Sequence, residues 1–188
     1  MNTKSQRMFE QAITRSLKLI SNSASVTLGM VLVAVGLLVP CANAASTVSA
    51  ADQGFILAAA QGGMTEVKLG ELISKNGKRD DVKEFGQMMV KDHTAINDDL
   101  KSLAAQKGVT LPDSLDAKHQ GMVDKMAALT GSKFDHAYIT GMIKDHKMDA
   151  KEFKAESAET KDADIKSFVD KSIPVVDEHL KRITAMKK

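Results

Sequence analysis

Residues 81–106 read DVKEFGQMMVKDHTAINDDLKSLAAQ. Val82, Phe85, Met89, Ile96, Leu100 and Leu103 recur at steps that keep to one face of an α-helix, and His93 falls in the same stripe. Asp81-Val82-Lys83-Glu84 resembles a capping box at the start. Gly108 ends the helix, and Pro112 bars its continuation.

The same period extends to both sides. A first helix is expected from Asp52 to Lys75, with Phe55, Ala59, Gly62, Glu66, Leu69 and Ile73 on one face. Gly77 would stop it in a left-handed turn. Gly62, Gly63 and Gly70 weaken that helix, yet they allow a neighbour to approach closely. A third helix is expected from Lys133 to Ala158, capped by Ser132. Its stripe holds Tyr138 or Ile139, Met142, His146, Asp149 or Ala150, and Phe153. A fourth runs from Ala163 to Met186 through Ile165, Phe168, Val169, Ser172, Val176, His179 or Leu180, and Ile183. Pro174 should kink it or split it at Ile173. No sustained apolar–polar alternation signals a strand.

Residues 108–131 form a long connection containing a short helix, about Ser114 to Leu129, closed by Gly131. Helices one and two are joined tightly, as are three and four. Each long helix of roughly 25 residues would span about 37 Å. The fold expected is therefore all-α, a ferritin-like four-helix bundle with one long crossover between helices two and three. Met89-Val90-Lys91-Asp92-His93 recurs as Met142-Ile143-Lys144-Asp145-His146 at an offset of 53. Two helices thus meet similar surroundings.

Residues 1–44 read differently. Lys4, Arg7, Arg15 and Lys18 precede an uncharged, nearly apolar stretch from Val26 to Val39, followed by Pro40 and Ala42-Asn43-Ala44. A basic leader, a short apolar core and an A-x-A site describe a secretory signal peptide cleaved after Ala44. A kept membrane anchor and a lipoprotein signal at Cys41 are the alternatives. The apolar run is shorter than the roughly 20 residues a span needs, and Pro40 sits where lipoprotein signals keep a small residue. The division expected is 1–44 signal peptide, 45–51 flexible mature N-terminus and 52–188 bundle, with no membrane span after cleavage. An exported, periplasmic protein follows.

The leader holds four of the chain's 26 basic residues and one of its 24 acidic ones, leaving 22 and 23. A net charge near −1 with no concentrated basic face gives no support to nucleic-acid binding. Cys41 is the one cysteine, so the mature form has neither disulfides nor thiol chemistry. No strained nucleophile turn brings Ser and His together, so hydrolase chemistry has no support. Nothing in the sequence specifies an oligomeric state.

The chemistry lies in the polar members of the stripes. Glu66, His93, His146 and His179 each occupy a core position of a different long helix. A buried carboxylate is costly without a partner. Three imidazoles could be that partner, or a metal ion they hold; carboxylate with imidazole suits zinc, iron or copper. Asp92, Asp145 and Glu178 sit beside the histidines, turned about 100° away, and read as supporting groups. Met89 and Met142 stand four residues before His93 and His146, a thioether–imidazole pattern that suits Cu(I). His119 and His136 read as surface residues. The alternative is a metal-free Glu–His layer that fixes helix register.

From Asp52 onward the chain resembles an exported bacterial ferritin-like family of unknown function, whose members are sometimes labelled putative outer membrane proteins. The likeness rests on Glu66-Val67-Lys68-Leu69-Gly70, Val82-Lys83-Glu84-Phe85-Gly86, Met89 to His93, Phe134-Asp135-His136-Ala137-Tyr138, His146, Ile173-Pro174 and Glu178-His179-Leu180. It implies a ferritin-like fold and an envelope location, with outer-membrane association only peripheral because integral proteins there are β-barrels. It implies no activity. The Glu-x-x-His pairs of di-iron bundles are absent, since Val90, Ile143 and Val176 stand three before the histidines. An oxidase is thus the least favoured reading. Metal handling or envelope stress protection by a metal-binding bundle leads, with enzyme activity left open and the less favoured option, and a structural or protein-interaction bundle is the competitor.

Overall fold

The computed structural model describes residues 48–187. The expected signal peptide and its cleavage site lie outside the described residues. Five helices follow in order: α1 Ala50–Asn76, α2 Asp80–Gln106, α3 Ala117–Ala127, α4 Gly131–Glu159 and α5 Ala163–Ala185. Among the described residues there is no strand, and no helix is long and apolar enough to cross a membrane.

The helices pair as two hairpins, α1 with α2 and α4 with α5; α2 also packs on α5, and α1 on α4. Contacts at the helix ends fix their directions. Asp135, early in α4, accepts hydrogen bonds from the backbone N–H groups of Lys78 and Arg79 at 2.9 Å, just before α2. The starts of α2 and α4 therefore coincide, and these helices run parallel at opposite corners. Lys107, just past α2, pairs with Asp162 at 2.6 Å and Asp164 at 2.7 Å, at the start of α5. So α5 runs against α2. The crossover, carrying α3, must return the whole length of the bundle, the ferritin-like arrangement. Gln61 anchors it to α1 by donating to the Ser114 carbonyl and accepting from Asp116 N–H. The repeat at offset 53 follows: α2 and α4 run the same way, so equal positions reach equal depths.

The apolar core comes in two parts. Leu69, Ile73, Val82, Phe85, Met89, Phe134, Tyr138, Met142 and Ile183 cluster at one end. Ile56, Ala60, Leu100, Leu103, Ile165, Phe168 and Val169 cluster at the other. Glu66, His93, His146 and His179 fall between these sets along every long helix.

Several local expectations need correction. The first helix begins two residues early: Ser49 caps it, accepting from Asp52 N–H and donating to the Asp52 carboxylate. Gly77 has φ −62°, not a left-handed value. It is glycine for space, because a Cβ there would stand 2.6 Å from the Ile73 carbonyl oxygen. The capping box at Asp81 does not form. Asp81 instead pairs with Arg79, and Asp135 supplies the carboxylate from another helix. Thr130, not Ser132, precedes α4, and Gly131 takes φ +59° at the junction. Pro174 does not split α5. Pro174 is exposed, so the carbonyl it frees reaches water, while buried Val169 and Val176 hold both halves against the core.

Gly70 and Gly86 face each other where α1 packs closely on α2. A Cβ on Gly70 would lie 2.8 Å from the Gly86 carbonyl oxygen, and one on Gly86 would lie 2.9 Å from that of Gly70. Gly54 meets nothing within 4 Å. Gly86→Ala should therefore destabilise the bundle by about 1–3 kcal/mol through overpacking. Gly54→Ala should stabilise it by about 0.5–1 kcal/mol through helix propensity. Chemical denaturation midpoints measure both; a stabilising Gly86→Ala would contradict the close contact.

Candidate metal centre

Four side chains from four helices meet at mid-bundle. Glu66 on α1 and His93 on α2 are each 4% exposed, and His146 on α4 and His179 on α5 are buried further still. Each sits where the helical period turns a core residue inward, between the two apolar clusters.

Their contacts close a ring around the bundle. His93 Nδ1 lies 2.9 Å from Glu66 Oε2, joining α2 to α1. Glu66 Oε1 lies 3.6 Å from His146 Nε2, joining α1 to α4. His146 Nε2 lies 3.4 Å from His179 Nδ1, joining α4 to α5. His179 Nε2 lies 3.0 Å from Asp92 Oδ2, joining α5 back to α2.

Hydrogen-bond chemistry fixes two tautomers. His146 Nδ1 lies 3.1 Å from the Met142 carbonyl oxygen. A carbonyl only accepts, so Nδ1 carries the hydrogen and Nε2 a lone pair. His179 Nε2 donates to the Asp92 carboxylate, which leaves the lone pair on Nδ1. These two inner lone pairs face each other at 3.4 Å. Neutral, they repel; a shared cation satisfies both. One nitrogen from each of His93, His146 and His179 lies within 4.8 Å of the others, as do ligand atoms of Glu66, His146 and Asp149. His93 Nε2 and Glu66 Oε1 have no hydrogen-bond partner among the described residues.

Burial dominates the electrostatics. It pushes Glu66 up to about 8, opposed by His146 and reinforced by Asp145. It pushes His93 down to about 4, against the pull of Asp92 and Asp145. Burial likewise takes His146 to about 4, with Glu66 opposing and the other two imidazoles adding to the shift. His179 is lowered by burial too, while its bond to Asp92 works the other way. Asp149 is raised to about 9 by burial and by Glu66, Asp145 and Glu152. Near neutral pH the layer is therefore a set of neutral imidazoles beside protonated carboxyls. A metal ion would replace those protons.

The supporting residues sort unevenly. Asp92 orients His179 from the facing helix, and Met142 orients His146 through its backbone oxygen. Met89 and the Met142 side chain belong to the neighbouring apolar cluster. Asp145 is half-buried and acts on His93 electrostatically. Glu178 is a correction: it faces outward and pairs with Arg182 at 2.8 Å and Lys181 at 3.4 Å. One step from His179, it is turned away from the core. His136 is exposed. His119 is half-buried and bonds Asp116, which caps α3. Asp149, three after His146 in the same stripe, was not singled out in the sequence, yet its carboxylate stands within 4.8 Å of ligand atoms of Glu66 and His146.

Residues 38–186 match the family described as "Domain of unknown function (DUF4142)", and the chain belongs to that family. No curated protein matches it. Two solved structures share the fold. A DUF305 fragment from Deinococcus radiodurans aligns with a TM-score of 0.64 at 8% identity, over 74% of this chain and 96% of that one. The structure described as "CopM in the Cu(I)-bound form" aligns with a TM-score of 0.61 at 17% identity, over 72% and 94%. At such identities the likeness carries the helical-bundle fold alone.

The raised Glu66 gives a signed prediction. In the unfolded chain this carboxyl titrates at its ordinary 4.5, and in the fold at about 8. The fold thus holds the proton more tightly. That stabilisation is complete below the ordinary value and is lost as pH rises through about 8. Metal-free protein should melt at lower temperature at pH 9 than at pH 6, and Glu66→Gln should shrink the difference while Asp149 sustains part of it. An identical alkaline loss in both proteins would show that Glu66 is not held protonated.

Proposed function

We propose that this member of the DUF4142 family binds one transition-metal ion between Glu66, His93, His146 and His179, and serves in metal handling or stress protection in the bacterial envelope. The observation that carries the reading is the pair of inner lone pairs on His146 and His179. Both imidazoles are oriented from behind, by the Met142 carbonyl and the Asp92 carboxylate. Metal-ligating histidines are typically held this way, their second nitrogen fixed by a carbonyl or carboxylate. A structural layer with no ion would gain by pairing those lone pairs with donors instead.

The donor set bounds the metal. Imidazole nitrogens with one carboxylate suit Zn2+, Fe2+ or copper, while Mg2+ and Ca2+ prefer all-oxygen surroundings. Copper gains some support from the Cu(I)-bound form of CopM, which shares the fold. The sulfurs of Met89 and Met142 belong to the apolar cluster, so imidazole and carboxylate carry the binding here. Oxidase chemistry on a di-iron pair has less support, because the Glu-x-x-His pairs of such bundles are missing. The exported location rests on the N-terminal leader pattern, and the envelope role on that location.

Purified protein should carry one equivalent of transition metal by elemental analysis, raising its melting temperature. The His93→Ala, His146→Ala double variant should keep its helical circular dichroism and lose the metal. Affinity should fall as pH drops from 8 toward 5, because protons compete for Glu66 and the imidazoles. A metal-free preparation that takes up none, and melts identically in chelator, would sink the proposal.

A further inference from the structure

His146 and His179 are buried out of reach of solvent, so an ion needs a way in. A cavity of about 50 Å³ reaches the layer from one side, room for a metal ion with a few waters. Its lining includes Glu152, which is exposed, Asp149, which is half-buried, and Glu66 and His93, which are buried. Asn97 and apolar side chains such as Phe55, Ile96 and Phe153 line the rest of the wall, and both Glu66 Oε1 and Asn97 Oδ1 lack hydrogen-bond partners among the described residues. Ligand atoms of Glu66, Asp149 and His146 come within 4.8 Å of one another.

We infer that Glu66, Asp149 and His146 form a loading position for a divalent transition-metal ion, from which the ion passes to the three imidazoles. The inference rests on the proposed metal reading. His146 Nε2 lies 3.6 Å from Glu66 Oε1 on one side and 3.4 Å from His179 Nδ1 on the other. One nitrogen lone pair binds one ion at a time, so the two positions are successive when both use His146. Glu66 and His146 stay on the ion while Asp149 is exchanged for His93 and His179. Loading releases the protons of the Glu66 and Asp149 carboxyls to water, and Asp149 takes one up again when it leaves the ion; apart from that only metal–ligand bonds are made and broken. Carboxylate oxygens suit the first step, because they replace the water a hydrated ion must shed in so small a space. Imidazoles suit the second, because they hold the softer transition metals more tightly than oxygen does.

The test is stopped-flow loading of the metal-free protein with Co2+, followed by its visible absorption, and release into excess chelator. Asp149→Asn should slow both loading and release by about tenfold, a barrier change of about 1.4 kcal/mol, leaving the final spectrum and affinity unchanged, since a waypoint lowers the barrier in both directions. Glu152→Gln, exposed and safe for folding, should slow loading less. An unchanged loading rate in Asp149→Asn overturns the inference. So does slower loading with unchanged release, which is long-range charge steering alone. An altered final spectrum in Asp149→Asn would make Asp149 a ligand of the resting site, and two equivalents bound at once would make the positions simultaneous; either overturns the relay while keeping the metal reading. Protein that takes up no Co2+ overturns both.

Discussion

A ring of four polar side chains at mid-bundle is the constraint from which the rest of this structure follows. Glu66 touches His93 and His146, His146 touches His179, and His179 touches Asp92 next to His93. The ring visits α1, α2, α5 and α4 in the order in which those helices pack. Burying such groups is expensive unless each finds a partner, so each helix is held in rotation and depth by its neighbours. The layer also divides the apolar core into two clusters, which seal it above and below.

The helix ends secure the depth at which the four groups meet. Asp135 ties the start of α4 to the start of α2, and Lys107 ties the end of α2 to the start of α5. The crossover then has to traverse the bundle, and Gln61 binds it to α1 on the way. Gly70 and Gly86 let α1 and α2 approach closely. Burial keeps the layer neutral in the absence of a cation: it lowers the imidazoles and raises the carboxyls. The empty site therefore carries little charge and gains it only when an ion displaces its protons.

The helical period made much of this legible in the sequence. It placed Glu66, His93, His146 and His179 on core faces, because a stripe of apolar residues fixes which way an interposed polar residue points. It also set the number of long helices and the single crossover. What it left out depends on contacts between helices. Asp149 was visible only as one of two ways to continue a stripe, and its place beside Glu66 and His146 depends on how the helices pack. Glu178 looked equivalent to Asp92 beside a histidine, yet one faces solvent and the other the neighbouring helix. The cap of α2 comes from Asp135, more than fifty residues away, where no local motif could announce it. Pro174 broke a local rule, and packing on both sides of it prevailed.

Anomalous diffraction from crystals grown with Zn2+ or Cu2+ tests the central claim most directly. A single strong peak is expected inside the bundle, about 2.0–2.2 Å from imidazole nitrogens of His93, His146 and His179, with Glu66 alongside. Peaks confined to surface groups such as His119 and His136, with the inner layer unoccupied at saturating metal, would contradict it.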